Sequence, residues 1–265
     1  MAPTVAEAEA EGSLVLVVDD HPVNRLLLQQ QLQSLGYAAE TAVDGEDALA
    51  QWNSGRFGLV LTDCQMPRMD GYELTRRIRE REAATGARRT PVIACTAMAL
   101  EDEREKCLAA GMDDVVFKPV DLPRLLDTLD RWKHVPARPV AGAPQPATEP
   151  DMPGSRSAVD TQLLKATWGS DAKTIQSIVD AYLNSVREDY AGLYEAVGRR
   201  DLEAVRELAH RMLGASGMVG ARGIAESCML VTAASREASW DELQSAVQAL
   251  EAEYARLDAE FGDAG

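Results

Sequence analysis

Six of the twelve prolines fall between Pro136 and Pro153, in PARPVAGAPQPATEPDMP, and the chain reads differently on either side of them. This stretch has no hydrophobic periodicity, and its composition favours an extended, semi-stiff connector, which places a linker at 134–158. Before it, short β-branched runs alternate with amphipathic helical patterns: LVLVVD with PVNRLLLQQQLQSLG, AAETAV with GEDALAQWNSG, FGLVLTD with GYELTRRIRERE, TPVIACTA with EDEREKCLAAG, and DVVFKP with LPRLLDTLDRW. Continuous apolar runs such as 14–18 and 59–61 indicate strands buried on both faces, as in a parallel sheet covered by helices. The expected fold for 13–133 is therefore α/β, a doubly wound five-stranded parallel sheet. Ligands in such sheets gather beyond the carboxyl ends of the strands.

After the linker no strand-like alternation survives, and helical patterns run over 160–168, 171–197, 201–217, 221–236 and 240–260. Residues 159–262 are expected to form an all-α helical bundle. Leu202, Val205, Ala209, Met212, Ser216 and Val219 recur at steps of three and four, so they form the stripe that faces its core.

Composition narrows the function. A net charge of −16 is the wrong sign for neutralising nucleic-acid phosphates. No apolar run approaches the roughly 20 residues of a membrane span, and MAPTVAEAEAEG is acidic where a signal peptide is basic. The expectation is a cytoplasmic chain whose four cysteines, with no CxxC spacing among them, stay reduced. No Gly-rich nucleotide-binding element of Walker or kinase type is present.

In the β-α register Asp19 and Asp20 end the first strand, Asp63 the third, Thr96 the fourth and Lys118 the fifth, all on one rim. Clustered carboxylates raise one another's pKa unless a cation offsets them, and an all-oxygen cluster that must also accommodate a phosphoryl group suits Mg²⁺. A hydroxyl and an ammonium beside it could hold the remaining phosphoryl oxygens.

These residues stand in VVDD (17–20), LTDCQMPRMDG (61–71), CTA (95–97) and FKP (117–119), which closely resemble the receiver domain of two-component response regulators. The resemblance implies that Asp63 is phosphorylated by a phosphohistidine donor. It implies too that Asp20, Asp63 and the backbone carbonyl of Gln65 bind Mg²⁺, that Asp19 acts through water, that Thr96 and Lys118 contact the phosphoryl group, and that Lys118–Pro119 is a cis peptide. Gln65 stands where a haloacid-dehalogenase-like phosphatase carries its second Asp, which argues against that class. Val115 occupies the position where receivers usually have Tyr or Phe, and Phe117 is expected two places later on the opposite strand face.

Of the three histidines, His21 reads as a first-turn polar residue and His134 as a solvated start to the linker. His210 follows Ala209, about 100° off the apolar stripe, which places it on the bundle surface. Gly214 and Gly217 lie one and two turns onward, and each glycine in a helix interior costs roughly 1 kcal/mol relative to alanine, a cost explained if space is being cleared for a reacting partner. The segment AHRMLGASGMVGA (209–221) resembles the motif of histidine-containing phosphotransfer (HPt) domains. In that likeness His210 is the phospho-accepting histidine, Gly214 and Gly220 match its glycines, and Leu213 replaces the usual lysine.

Receiver followed by HPt is the order at the C-terminal end of unorthodox, virulence-sensor-type hybrid kinases. The resemblance implies a phosphorelay intermediate that takes a phosphoryl group from a sensor histidine kinase, in cis or in trans, onto Asp63 and passes it through His210 to the receiver of a downstream response regulator. The chain would be free-standing or the cytoplasmic tail of a membrane-bound sensor, and it carries no ATP-binding core. A linker of roughly 24 residues spans about 25–30 Å, enough for transfer within one chain. The alternative is a non-catalytic binding module or phosphate sink that titrates a kinase or regulator.

Overall fold

The structure is a computed structural model, and it describes residues 2–97, 101–118, 120, 122–132, 158–168, 172–237 and 240–261. The expected linker, the Lys118–Pro119 peptide and His134 lie wholly or partly outside these. The chain divides into two compact units, residues 1–147 and 148–265.

The first unit holds strands β1 (Val15–Val18), β2 (Ala39–Ala42), β3 (Leu59–Asp63), β4 (Val92–Thr96) and β5 (Asp114–Phe117). They form one parallel sheet in the order β2-β1-β3-β4-β5. Every residue of β1, β3 and β4 is buried, as their unbroken Val, Leu and Ile runs require, whereas the edge strand β2 is half-buried. Helices α2 (Pro22–Ser34), α3 (Gly45–Trp52), α4 (Gly71–Thr85), α5 (Glu101–Ala109) and α6 (Leu122–Trp132) connect and follow the strands. Short polar caps start three of them. The His21 Nδ1 accepts from the backbone N–H of Val23, Asp44 from that of Asp47, and Asp70 from that of Glu73, each satisfying a first-turn donor.

Helix α1 (Val5–Glu11) was not expected. Thr4 and Glu7 form a reciprocal capping box, Gly12 closes the helix in the left-handed region, and Ala8 enters the sheet's apolar core. The T-x-x-E spacing was the available signal. Val115 and Phe117 both pack against that same core, so the expected opposite faces are wrong: a step of two along a strand returns to one face. The arginine-rich helix α4 also contributes a buried ion-pair cluster. Arg79 is mostly buried and pairs with Glu82 and Asp113, both at 2.7 Å.

The second unit is helical: α7 (Thr161–Trp168), α8 (Ala172–Arg199), α9 (Leu202–Val219), α10 (Arg222–Glu237) and α11 (Trp240–Phe261). Helix α9 is central, touching α7, α8 and α10, and α10 also packs on α11. The Tyr182 hydroxyl of α8 hydrogen-bonds the Ser216 hydroxyl of α9 at 2.9 Å inside this core, and Tyr190 stacks on Tyr254 with ring centroids 3.9 Å apart.

Candidate functional site

The register of the sheet builds the first site. Val18 pairs with Thr62 and Asp63 with Cys95, so the residues that follow β1 stand beside Asp63. Thr96 pairs with Phe117, which puts Lys118 next to Thr96 on the same rim. Asp19, Asp63, Thr96 and Lys118 are all buried there, and Asp20 is half-buried.

Lys118 reaches back into the acids. Its Nζ donates to Asp19 Oδ2 at 2.7 Å and also to Asp63 Oδ2. Asp19 Oδ1 accepts from the His21 backbone at 2.9 Å and from Asn24 Nδ2 at 3.1 Å, while Arg25 binds the Asp19 carbonyl at 2.7 Å. The backbone N–H of Gln65 donates to Asp63 Oδ1 at 3.3 Å. Asn24 and Arg25 were not singled out from the sequence. Their positions, five and six residues after Asp19 on the first turn of α2, were the available signal.

Burial pushes the Asp19 carboxyl above its usual range, Lys118 pulls it back, and Asp63 pushes it up again. Burial alone would lower the Lys118 ammonium, but Asp19 and Asp63 outweigh it and hold Lys118 above the ordinary lysine range. Asp19, Asp20 and Asp63 each present an oxygen, and these atoms lie within 4.8 Å of one another. Three carboxyl groups face one ammonium, so acidic groups outnumber basic ones by two. A set of hard oxygen donors this close together fits a divalent cation such as Mg²⁺.

The second site differs from expectation. His210 is only 5% exposed, not on the bundle surface, and its Nδ1 has no hydrogen-bond partner among the described residues. The face assignment from the stripe was sound, but it did not say how many neighbours α9 meets. With α7, α8 and α10 around it, the second half of α9 is buried almost on every side, including Leu213 and Gly214. Gly217 is the open position: a Cβ there would meet nothing within 4 Å. Gly220 takes a positive φ of 70°, and a Cβ there would run into Asp160 and Leu163, which explains a glycine at that point. Beside His210 in sequence, Arg211 pairs with the buried Asp189 of α8 at 3.1 Å.

Residues 15–130 match the response regulator receiver domain, and residues 177–260 match the Hpt domain. The chain belongs to the two-component phosphorelay proteins. It is 35% identical to the virulence sensor protein BvgS of Bordetella bronchiseptica over 269 residues, which cover 98% of this chain and 22% of that protein. Sensor histidine kinase RcsC of Escherichia coli K12 is 47% identical over 124 residues, 47% of this chain and 12% of that protein. The chain thus spans about a fifth or less of the length of these curated relatives. Among solved structures, the receiver domain of sensor histidine kinase PA1611 from Pseudomonas aeruginosa PAO1, described with a magnesium ion in its active-site cleft, is 41% identical. That match covers 46% of this chain and 97% of the other, with a TM-score of 0.41. Among the described residues no helix is long and apolar enough to cross a membrane.

Proposed function

We propose that the receiver accepts a phosphoryl group on Asp63 from the phosphohistidine of a sensor kinase, and that His210 of the HPt domain carries it on to the receiver of a separate response regulator. The observation that carries this reading is the Lys118 ammonium shared between Asp19 and Asp63 at the rim of the sheet. A carboxylate oxygen of Asp63 attacks phosphorus, the P–N bond to the donor imidazole breaks, and the donor ring keeps the electron pair. In the next transfer an imidazole nitrogen of His210 attacks and the P–O bond to Asp63 breaks. Lys118 and Thr96 steady the phosphoryl oxygens, where charge spreads in the transition state.

Asp20, Asp63 and the backbone carbonyl of Gln65 would hold Mg²⁺, with Asp19 acting through water. The ion supplies the positive charge that lets an anionic phosphoryl donor approach an anionic carboxylate. The chain acts in the cytoplasm, and its domain boundaries follow 13–133 and 159–262. Because His210 is nearly covered, docking of a receiver on the HPt domain must include a local opening around α9.

That covering, with Leu213 in place of a lysine, favours a second reading: a phosphate sink or binding module that titrates a kinase or regulator. One experiment separates the two. Purified wild-type protein is labelled from a phosphorylated kinase with Mg²⁺, then mixed with a downstream receiver. The relay requires hydroxylamine-sensitive label that is lost in Asp63→Asn, and onward transfer that is lost in His210→Gln. Label that reaches Asp63 but never leaves the chain establishes the sink instead.

A further inference from the structure

The cysteine spacing suggested no framework, yet the fold brings two of the four together. Cys64, the residue after Asp63, and Cys107 of α5 are 43 positions apart, and their sulfurs lie 3.5 Å from each other. Both side chains are fully buried. The other two are elsewhere, Cys95 within β4 and Cys228 in the HPt domain.

Access and motion favour the α5 side. Among the side chains described for α5 only Glu103 and Cys107 are buried, and the Tyr72 hydroxyl of α4 binds Glu103 beside the pair. A helix anchored by so few groups opens locally at low free energy, which admits a small oxidant. Cys64 is held more firmly: its carbonyl accepts the Gly71 N–H at 3.1 Å, and a Cβ on Gly71 would strike the backbone of Asp63 and Cys64.

We propose that Cys64 and Cys107 form a reversible disulfide on oxidation by a peroxide, and that this bond slows phosphoryl transfer to Asp63. The second half rests on Asp63 being the acceptor. The Cys107 sulfur attacks one peroxide oxygen, the O–O bond breaks, and the thiol proton leaves with the displaced hydroxide as water, giving a sulfenic acid. The Cys64 sulfur then attacks the Cys107 sulfur, the S–O bond breaks, and the second thiol proton leaves with hydroxide as a second water. Each sulfur loses one electron and one peroxide is reduced by two. Bond formation must close the sulfurs from 3.5 Å to about 2.05 Å. Part of that movement falls on the residue bonded to Asp63, where a displacement of about 1 Å can slow a reaction on the order of 100-fold.

The test uses the full chain, treated with hydrogen peroxide or left reduced, digested without reductant and mapped by mass spectrometry, with a parallel measurement of labelling rate from acetyl phosphate and Mg²⁺. The expected result is a Cys64–Cys107 cross-linked peptide that dithiothreitol removes, a labelling rate at least about tenfold lower in the oxidised protein, and rate recovery on reduction. Cys107→Ser should lose both effects and Cys228→Ser neither. Absence of the cross-link, or pairing with another cysteine, overturns the proposal whatever the labelling does. A cross-link with unchanged labelling overturns the regulatory half. Reduced protein that never labels refutes Asp63 as acceptor and the regulation with it, while the cross-link is still scored by mass.

Discussion

The two proposed phospho-acceptors sit in opposite electrostatic settings. Asp63 stands at the end of a central strand among two other carboxylates and an ammonium, all within a few ångströms. His210 stands mid-helix, with an Nδ1 that has no hydrogen-bond partner among the described residues and with no lysine one turn on. A carboxylate nucleophile repels an incoming phosphoryl group, so the receiver must supply compensating charge itself. An imidazole carries no negative charge to repel the phosphoryl group, so the HPt domain needs less compensating charge. In the proposed relay, that difference assigns the catalytic machinery for both transfers to the receiver and leaves the HPt domain to rely on the receiver that docks against it.

The harshest test of that contrast removes the receiver's nucleophile. Asp63→Asn is expected to lower labelling from a phosphorylated kinase by more than about a thousandfold, and radiolabel retained at the wild-type rate would move the acceptor elsewhere. Next comes the compensating cation. Lys118→Met leaves Asp19 and Asp63 buried without their partner, and breaking a buried pair from one side destabilises by about 3–5 kcal/mol. Urea unfolding should show that loss in the receiver transition, with Mg²⁺ recovering more stability in the variant than in wild type. Equal Mg²⁺ stabilisation of both proteins would mean that the acids do not form one charge cluster.

The HPt domain has its own buried charge, away from any rim. Burial, opposed by Arg211 and reinforced by Glu188, pushes the Asp189 carboxyl up to about 6. Its folded-state pKa lies above the ordinary value of 3.8, so the folded form binds this proton more tightly. The stabilising contribution is complete below about pH 4 and disappears as pH rises through about 6, at most about 3 kcal/mol in all. Chemical denaturation of the HPt transition across that window should slope downward in wild type and flatten in Asp189→Asn. A slope that survives the substitution assigns it to another group.

The smallest effect concerns Leu213. If the helix face were wet, a lysine there would simply add charge near His210. Leu213 is buried, so the ammonium of Leu213→Lys must bend out along its stem or be desolvated. The expectation is a bundle weaker by roughly 1–3 kcal/mol in thermal unfolding, with any gain in phosphohistidine confined to low salt. Unchanged stability would show that this face opens readily.

The receiver was legible almost residue by residue because its signals are local and redundant. Apolar runs ending in Asp19, Asp63, Thr96 and Lys118 fix strand ends, and parallel pairing carries all of those ends to one rim. Helix α1 escaped because an acidic, alanine-rich segment lacks an apolar stripe, and the capping box alone marked it. In the HPt domain, periodicity located α9 and its stripe correctly but overstated the exposure of His210, since one helix's pattern carries no record of how many others surround it. The meeting of Cys64 and Cys107 was invisible for a related reason: two residues far apart in the chain become neighbours only where the segment just after β3 meets α5.

The strand order has a consequence for timescale. β3 is hydrogen-bonded on both sides, while β5 is an edge strand paired on one side only among the described residues. Amides of a central strand exchange with deuterium only when the whole domain unfolds, whereas edge elements open in smaller and more frequent events. Asp63 therefore ends an interior strand, expected to open rarely, and Lys118 follows an edge strand, expected to open more often. Of the two partners in the Lys118–Asp63 ion pair, the lysine is thus the one expected to let go more often.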